Sequence, residues 1–154
     1  MAHDFYIFET KFGLLKIESD GEYITTIEFN NPTSNNQYRL NDTIKSAFVE
    51  LNEFFDGKRK HFSFPIKLNG TEFQKSVWNE LMKIPYGETR TYKDIAISIG
   101  NPKACRAVGL ANNKNPLPIV VPCHRVIGSK GALTGYAYGL NMKEILLKLE
   151  KGMK

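Results

Sequence analysis

The fold of the C-terminal half is decided by residues 92–111, which read YKDIAISIGNPKACRAVGLA. Isoleucines recur on one helical face before Gly100, which ends the first helix of this segment. Asn101 can cap a second helix, and Pro102 can take its first position. Two short helices joined by a glycine turn predict a helix-turn-helix.

The predicted second helix, residues 103–111, carries mostly small side chains and one long cation, Arg106. A helix that reads base edges in the major groove needs outward-pointing Arg, Asn, Gln or Glu. Small residues instead let a helix approach DNA closely, and a single arginine can push into the base stack. They are equally typical of a helix packed inside a core, so the pattern alone leaves both interpretations open.

Downstream of this segment, residues 119–127 read IVVPCHRVI. An apolar run, predicted to be a short buried strand over 119–121, is followed by Cys123, His124 and Arg125. The thiolate is the reactive form of cysteine, and a neighbouring His or Arg lowers the cost of forming it. Side chains alternate along a strand, so Cys123 and His124 meet only if the chain bends after Pro122 or a water bridges them. The pattern is compatible with a nucleophilic cysteine, but the same pair of residues also occurs in inert protein cores.

The rest of the chain yields a coarse set of elements. Strand-like segments at 5–8, 14–17 and 23–29 are joined in part by a hairpin turn at Asp20-Gly21. Helical spacing predicts helices over 41–56 and 141–151, and residues 62–66 suit either a short strand or an extended linker. A capping box, Thr71 to Gln74, begins another helix. Its predicted buried stripe is Phe73, Val77, Trp78 and Leu81. A domain boundary is expected near residue 68.

Composition limits the possible functions. The 154 residues carry a net charge of +5, with 8 Lys/Arg against 10 Asp/Glu in residues 1–70 and 13 against 6 in residues 71–154. This asymmetry favours a polyanionic partner for the C-terminal part, although solvated lysines would give the same count. No apolar run reaches membrane-spanning length, and the N-terminus lacks the order of a signal peptide. Two cysteines supply neither a disulfide framework nor a cysteine-rich zinc site. We therefore expect a soluble, intracellular protein without a membrane partner.

Five motifs occur in a fixed order: residues 101–109, 115–116, 121–127, 133–136 and 143–147. In this order they resemble the O6-alkylguanine-DNA alkyltransferases, which are methylated-DNA–protein-cysteine methyltransferases; the resemblance is dense from Thr71 to Glu150. It implies an α+β fold of two domains. Residues 1–68 would form a small supporting α/β domain with an antiparallel sheet. Residues 69–154 would form a mostly helical domain with the helix-turn-helix, DNA binding and alkyl transfer.

The resemblance implies DNA repair by direct, irreversible and stoichiometric transfer of an alkyl group, typically methyl, to Cys123. The substrate would be O6-alkylguanine, with O4-alkylthymine as a second lesion, flipped out of double-stranded DNA. His124 would take the thiol proton through a water, and Glu144 would hold the other imidazole nitrogen. Tyr92 would donate a hydrogen bond to the leaving base, and Asn115 would brace the site. No cofactor or metal is implied, and the protein would act as a cytoplasmic monomer.

The resemblance also implies binding roles for two groups of residues. The DNA contacts are Thr91, Lys103, Arg106, Ala107 and Arg125. The substrate pocket is lined by Pro118, Val126, Tyr136, Ala137 and Tyr138. Tyr138 stands where the family usually has glycine, which predicts a narrower pocket. Cys105 stands where a small apolar residue is usual, and we expect a buried thiol there.

Alternatives to this interpretation concern one residue and the whole chain. Glu144 follows Asn141 at the spacing of a helix cap, so it could simply close the start of the last helix. A cysteine hydrolase would use Cys123, His124 and Glu144 as a triad, and it would turn over repeatedly. A protein that binds alkyl lesions without enzymatic activity lacks the nucleophile, and the presence of Cys123 argues against that class.

Overall fold

The computed structural model describes residues 3–29, 38–132, 136 and 138–152. The chain divides into two compact units, Met1–Asn69 and Gly70–Lys154. The boundary expected near residue 68 lies beside this division. Within the described ranges, no helix is both long enough and apolar enough to cross a membrane.

The first unit is built on a three-stranded antiparallel sheet in chain order: β1 (Asp4–Thr10), β2 (Gly13–Ser19) and β3 (Ile24–Phe29). The turn between β2 and β3 forms where Asp20-Gly21 predicted it. The Asp20 carboxylate accepts hydrogen bonds from the backbone N–H groups of Glu22 and Tyr23, and Gly21 has a φ of 106°. Glycine reaches that left-handed region without a Cβ clash, which explains its place in the turn.

One helix, α1 (Asp42–Phe55), supplies the other layer of this unit. The Asn41 side chain caps it by accepting a hydrogen bond from the backbone N–H of Ile44 at 2.9 Å. Phe48 stacks on Phe8 of β1 with ring centroids 3.9 Å apart. Residues 62–66 form no strand, and only Ile66 makes an isolated bridge, to Ile24.

The second unit is mostly helical. Its elements are α2 (Glu72–Leu81), β4 (Arg90–Thr91), α3 (Tyr92–Ser98), α4 (Cys105–Asn113), β5 (Val126–Ile127) and α5 (Leu140–Glu150). The predicted capping box at Thr71 and Gln74 begins α2. Trp78 is buried, and its indole N–H donates to the carbonyl of Ala111 at 2.8 Å, which ties α2 to α4. The short strands β4 and β5 pair in parallel.

The helix-turn-helix forms from α3 and α4, but Asn101 does not cap the second helix. The backbone N–H of Gly100 donates to Ile97, and that of Asn101 donates to Ala96. These two bonds, with Gly100 at a φ of 81°, form a Schellman motif that ends α3. Asn101 therefore belongs to the end of the first helix, and α4 begins later than predicted, at Cys105.

The strand predicted over residues 119–121 is also wrong. The chain makes a tight turn there, with Ile119 at a φ of 76° and the N–H of Val121 donating to the carbonyl of Leu117 at 2.9 Å. After Pro122, Cys123–Arg125 form one turn of 3₁₀ helix. The chain therefore does bend directly before the cysteine, which is one of the two geometries that the sequence left open.

Candidate active site

The turn that carries Cys123 is closed by Asn115, which follows α4 directly. Its side-chain oxygen accepts from the N–H of Leu117 at 2.9 Å, and its NH₂ group donates to the carbonyl of Val121 at 2.7 Å. The same carbonyl accepts from the N–H of Cys123, also at 2.7 Å. Asn115 thus spans the turn and bonds to the Val121 carbonyl, which also accepts the hydrogen bond from the backbone of Cys123.

Cys123 is buried, with 4% of its surface exposed. Burial raises the pKa of its thiol to about 11, although Asn115 and Lys143 oppose the shift. At that pKa about one thiol in ten thousand is ionised at pH 7. The thiol is therefore protonated in the resting protein, and its reaction requires a proton acceptor.

Tyr136 lies near this thiol. Its hydroxyl is close enough to influence the pKa of Cys123, and burial together with Cys123 raises the pKa of Tyr136 itself. Among the described residues, however, the hydroxyl makes no hydrogen bond of ordinary distance and angle. We place Tyr136 beside the sulfur without assigning it a hydrogen bond.

His124 is fully buried, and its Nε2 atom lies 2.6 Å from Glu150 Oε2. Because a carboxylate only accepts hydrogen bonds, Nε2 carries the proton and Nδ1 keeps its lone pair. Burial lowers the pKa of His124, and Glu150 opposes this shift. Nδ1 has no hydrogen-bond partner in the described part of the chain. The imidazole is thus a neutral proton acceptor with one nitrogen anchored.

Glu144 does not have either of the roles considered for it. It is an exposed residue of α5, and its carboxylate pairs with Lys148 at 2.9 Å, one helical turn further along. The residue that caps α5 is Gly139, so Asn141 and Glu144 form no capping box. Glu150 holds the imidazole because it is on the buried face of α5, whereas Glu144 is on the solvent face.

Arg125 was expected to contact DNA, and the structure buries it instead. Its Nε and Nη2 atoms donate to the two oxygens of Glu150, each at 2.8 Å. Its Nη1 atom donates to the carbonyl of Ile84 at 2.7 Å. A guanidinium whose donors are taken up inside the protein has little left to offer a phosphate, so this prediction is corrected.

Lys143 is a site residue that sequence reasoning missed. Its side chain is fully buried, burial lowers its pKa to about 8, and the charge of Cys123 opposes this shift. Its Nζ atom lies 5.8 Å from the centroid of the Tyr92 ring. Lys143 and Glu150 are seven residues apart and therefore share a face of α5 with buried Leu146. In the sequence, Lys143 and Glu150 stand at helical spacing with an apolar residue, and this pattern could have identified both as buried charged residues.

Asn112 is a second missed residue. It lies in the last turn of α4 with 1% of its surface exposed, and its NH₂ group donates to the carbonyl of Cys123 at 3.3 Å. Asn112 and Asn115 therefore both connect the end of α4 with the backbone around the cysteine.

The remaining DNA contacts expected from the sequence lie around the helix-turn-helix. Lys103, Arg106 and Ala107 are exposed, the latter two on α4. Thr91 caps α3, its hydroxyl accepting from the N–H of Asp94 at 3.0 Å. Cys105, expected to be buried, is partly exposed at the start of α4.

The expected pocket residues differ in their surroundings. Tyr138 is partly exposed, and its ring meets that of buried Tyr136 edge to face with centroids 5.9 Å apart. Pro118 is buried and bridges to Val121 within the turn. Val126 is fully buried in β5, so its side chain has no surface open to a ligand, and its assignment to the pocket is corrected. Ala137 lies outside the described residues.

Together these features define a buried cysteine in a unit that contains a helix-turn-helix, with an anchored imidazole on the next residue. In the described ranges, no cluster of three His, Cys, Asp or Glu side chains could hold a metal ion. Residues 72–152 match the family described as 6-O-methylguanine DNA methyltransferase, DNA binding domain. Residues 3–68 match its ribonuclease-like domain. The chain therefore belongs to the 6-O-methylguanine DNA methyltransferase family.

Individual relatives agree with this assignment over nearly the whole chain. The methylated-DNA–protein-cysteine methyltransferase of Methanosarcina acetivorans is 50% identical over 149 residues, covering 94% of this chain and 96% of the relative. The constitutive enzyme of Bacillus subtilis is 44% identical over 152 residues, covering 93% and 92%. The crystal structure of Mycobacterium tuberculosis OGT in complex with DNA matches with a TM-score of 0.89 and 43% identity, covering 97% of this chain and 93% of that one.

Proposed function

We propose that this protein repairs DNA by transferring the alkyl group of O6-alkylguanine irreversibly to Cys123. The observation that carries the proposal is the arrangement of the buried thiol, the neutral His124 and the Glu150 carboxylate on a helix-turn-helix unit. Family membership and the relative solved in complex with DNA support the same activity.

The first chemical step is removal of the thiol proton. With the pKa of Cys123 raised to about 11, the thiol needs a base, and the lone pair of His124 Nδ1 is available for this. A water molecule between the sulfur and Nδ1 would carry the proton. Glu150 accepts from Nε2 and stabilises the imidazolium that forms.

Lys143 contributes to the same step through its charge. It is buried close enough to Cys123 for each group to shift the pKa of the other. A positive charge beside a forming thiolate lowers the free energy of the ionised state. The thiol is therefore protected at rest and ionises within a site that offers both a proton acceptor and a cation.

In the transfer step the sulfur attacks the alkyl carbon, the S–C bond forms and the C–O6 bond breaks. Guanine leaves with the electron pair of that bond, and Tyr92 donates a hydrogen bond to the base as negative charge develops. The product is a thioether at Cys123, and no group of the site offers a route to cleave it. Each molecule therefore reacts once, which separates this function from that of a cysteine hydrolase.

Access to the lesion requires base flipping, because a buried thiol cannot reach O6 inside a paired stack. The exposed face of α4 offers small side chains for close approach to double-stranded DNA, and Arg106 fills the space left by the flipped nucleotide. The proposal includes O4-alkylthymine as a second lesion. It also places the protein, as a monomer, in the cytoplasm with access to DNA.

The proposal is tested by comparing two glutamates on one helix, Glu150 and the matched control Glu144. Single-turnover rates would be measured with an O6-methylguanine duplex and with free O6-benzylguanine, for Glu150→Gln and Glu144→Gln. Glu150→Gln should slow both reactions on the order of a hundredfold, since general base catalysis is impaired. Glu144→Gln should react at the wild-type rate. Equal rates for the two variants, both shown to be folded by circular dichroism, would contradict the proposed relay.

A further inference from the structure

The buried side chain of Arg125 donates hydrogen bonds to the Glu150 carboxylate and to the carbonyl of Ile84. None of the described contacts joins it to the Cys123 thiol or to the exposed face of α4. We infer that Arg125 is a positioning residue whose guanidinium fixes the Glu150 carboxylate against His124 and balances its negative charge. This inference rests on the proposed function, because it assigns Arg125 a part in the same proton transfer.

Arg125 and Glu150 form a bidentate ion pair. Arg125 Nε and Nη2 each donate to one oxygen of Glu150 at 2.8 Å, and Nε also lies 3.1 Å from Oε2. Two parallel bonds fix the plane of a carboxylate as well as its position. His124 and Arg125 are adjacent in the same 3₁₀ turn, so the hydrogen bonds of both to the Glu150 carboxylate come from one short segment.

The Glu150 carboxylate is nearly saturated. Besides the bonds from His124 and Arg125, Oε1 accepts from the backbone N–H of Gly87 at 3.2 Å. Arg125 Nη1 donates to the carbonyl of Ile84 in the same loop, so the loop after α2 braces both partners. Burial opposes ionisation of Glu150, but the hydrogen bonds from His124 and Arg125 lower its pKa to about 2.

The charge of Arg125 also acts on His124. The charged groups that act on the imidazole are Glu150 and Lys143 on α5 and Arg125 in the turn. Tyr86 lies beside Arg125 and Glu150. Burial lowers the pKa of His124 most, Glu150 raises it, and Arg125 and Lys143 lower it. Without Arg125 only Lys143 would oppose the effect of the carboxylate on the imidazole, so His124 would hold a proton at higher pH. A protonated imidazole cannot accept the thiol proton.

The test uses free O6-benzylguanine, so that DNA binding does not enter the rate. Single-turnover rates against pH, and the ring pKa of His124 by NMR, would be measured for Arg125→Gln and Arg125→Lys. Arg125→Gln should move the acid limb of the profile and the ring pKa upward by about one unit. Arg125→Lys keeps the charge, so the midpoint should stay in place, while the plateau falls several-fold because an ammonium cannot hold both oxygens.

Unchanged profiles and plateaus in both variants would overturn the inference, as would a loss confined to duplex substrate. Failure of the proposed function itself would look different, because the wild-type protein would then transfer no alkyl group. Removing one partner of a buried ion pair can prevent folding. If Arg125→Gln does not fold, Glu150→Gln is compared with the double variant Arg125→Gln/Glu150→Gln. The ring pKa of His124 should be higher in the double variant, and equal values would overturn the inference.

Discussion

The turn that carries Cys123 and the outer face of α4 are neighbours in the chain with opposite characters. In the turn, polar side chains are buried and bonded to one another, as Asn115, His124 and Arg125 show. On the outer face of α4, Arg106 and Ala107 are exposed. We expect the turn to carry out alkyl transfer and the outer face of α4 to bind DNA. Substitutions in the turn should therefore slow the reaction with every substrate, whereas substitutions on α4 should slow only the reaction with duplex DNA.

The largest effect is expected at the nucleophile. Cys123→Ser should abolish alkyl transfer from both duplex and free-base substrates, because a serine hydroxyl ionises far less readily than a thiol. Duplex affinity should persist, since we expect the phosphate contacts on the outer face of α4. Cys105→Ser is the matched control and should react normally in an assay that follows loss of O6-methylguanine from the duplex. Activity that survives in Cys123→Ser but disappears in Cys105→Ser would contradict the assignment.

The next effect is expected on α4. Arg106→Ala should slow repair of a duplex on the order of tenfold or more, because in the proposed function Arg106 fills the space that the flipped nucleotide leaves. The reaction with free O6-benzylguanine should be unchanged. Comparing the two single-turnover rates in one variant makes the test internal. Equal slowing of both would show that Arg106 supports the fold and that the two regions are not separable.

Replacing Lys143 should lower the rate of alkyl transfer and raise the stability of the protein. Lys143→Met should slow both substrates several-fold, since the thiolate loses its cation. Its free energy of unfolding should rise by about 2–3 kcal/mol near neutral pH, because a buried lysine with a pKa of about 8 opposes folding. Between pH 8 and 10.5 the unfolded wild-type chain binds more protons than the folded one, so the advantage of the variant should shrink there. Urea unfolding at several pH values measures this, and a constant difference would speak against a lowered pKa.

The smallest effect is expected at Tyr138. Tyr138→Gly should raise the rate with O6-benzylguanine and leave O6-methylguanine repair nearly unchanged, because we expect the Tyr138 ring, which packs against Tyr136, to narrow the space for large alkyl groups. Tyr138→Phe keeps the ring and should behave as the wild type. If methyl repair in duplex falls while the benzyl reaction does not change, Tyr138 contacts DNA and does not line the pocket.

Local patterns predicted most of the fold. Periodicity placed α1 within one residue at each end, and the capping box at Thr71 placed the start of α2. The start of α4 was misplaced because Asn101 was expected to cap that helix. Its backbone N–H instead completes the Schellman motif at the end of α3. The turn at Ile119 was unforeseen because β-branched residues normally avoid a positive φ; the side chain of Asn115 bonds to Leu117 and Val121 on either side of it.

The site was predicted less completely than the fold. Cys123 and His124 were proposed because they belong to a distinctive motif, and Glu144 was proposed as the partner of His124, a contact that Glu150 makes instead. Glu144 and Glu150 are both glutamates of the same helix, and only the direction of their side chains distinguishes them. The burial of Arg125 depends on contacts with α5 and the loop after α2, which no local pattern encodes.

The most direct test of alkyl transfer to Cys123 is the intact mass of the protein after mixing with one equivalent of an O6-methylguanine duplex. The mass should rise by one methyl group in place of a hydrogen, once per molecule, and peptide mapping should locate it on Cys123. The duplex should then contain unmodified guanine, and added duplex should cause no further change. Repair of several equivalents by a protein of unchanged mass, or a methyl group on Cys105, would contradict the account.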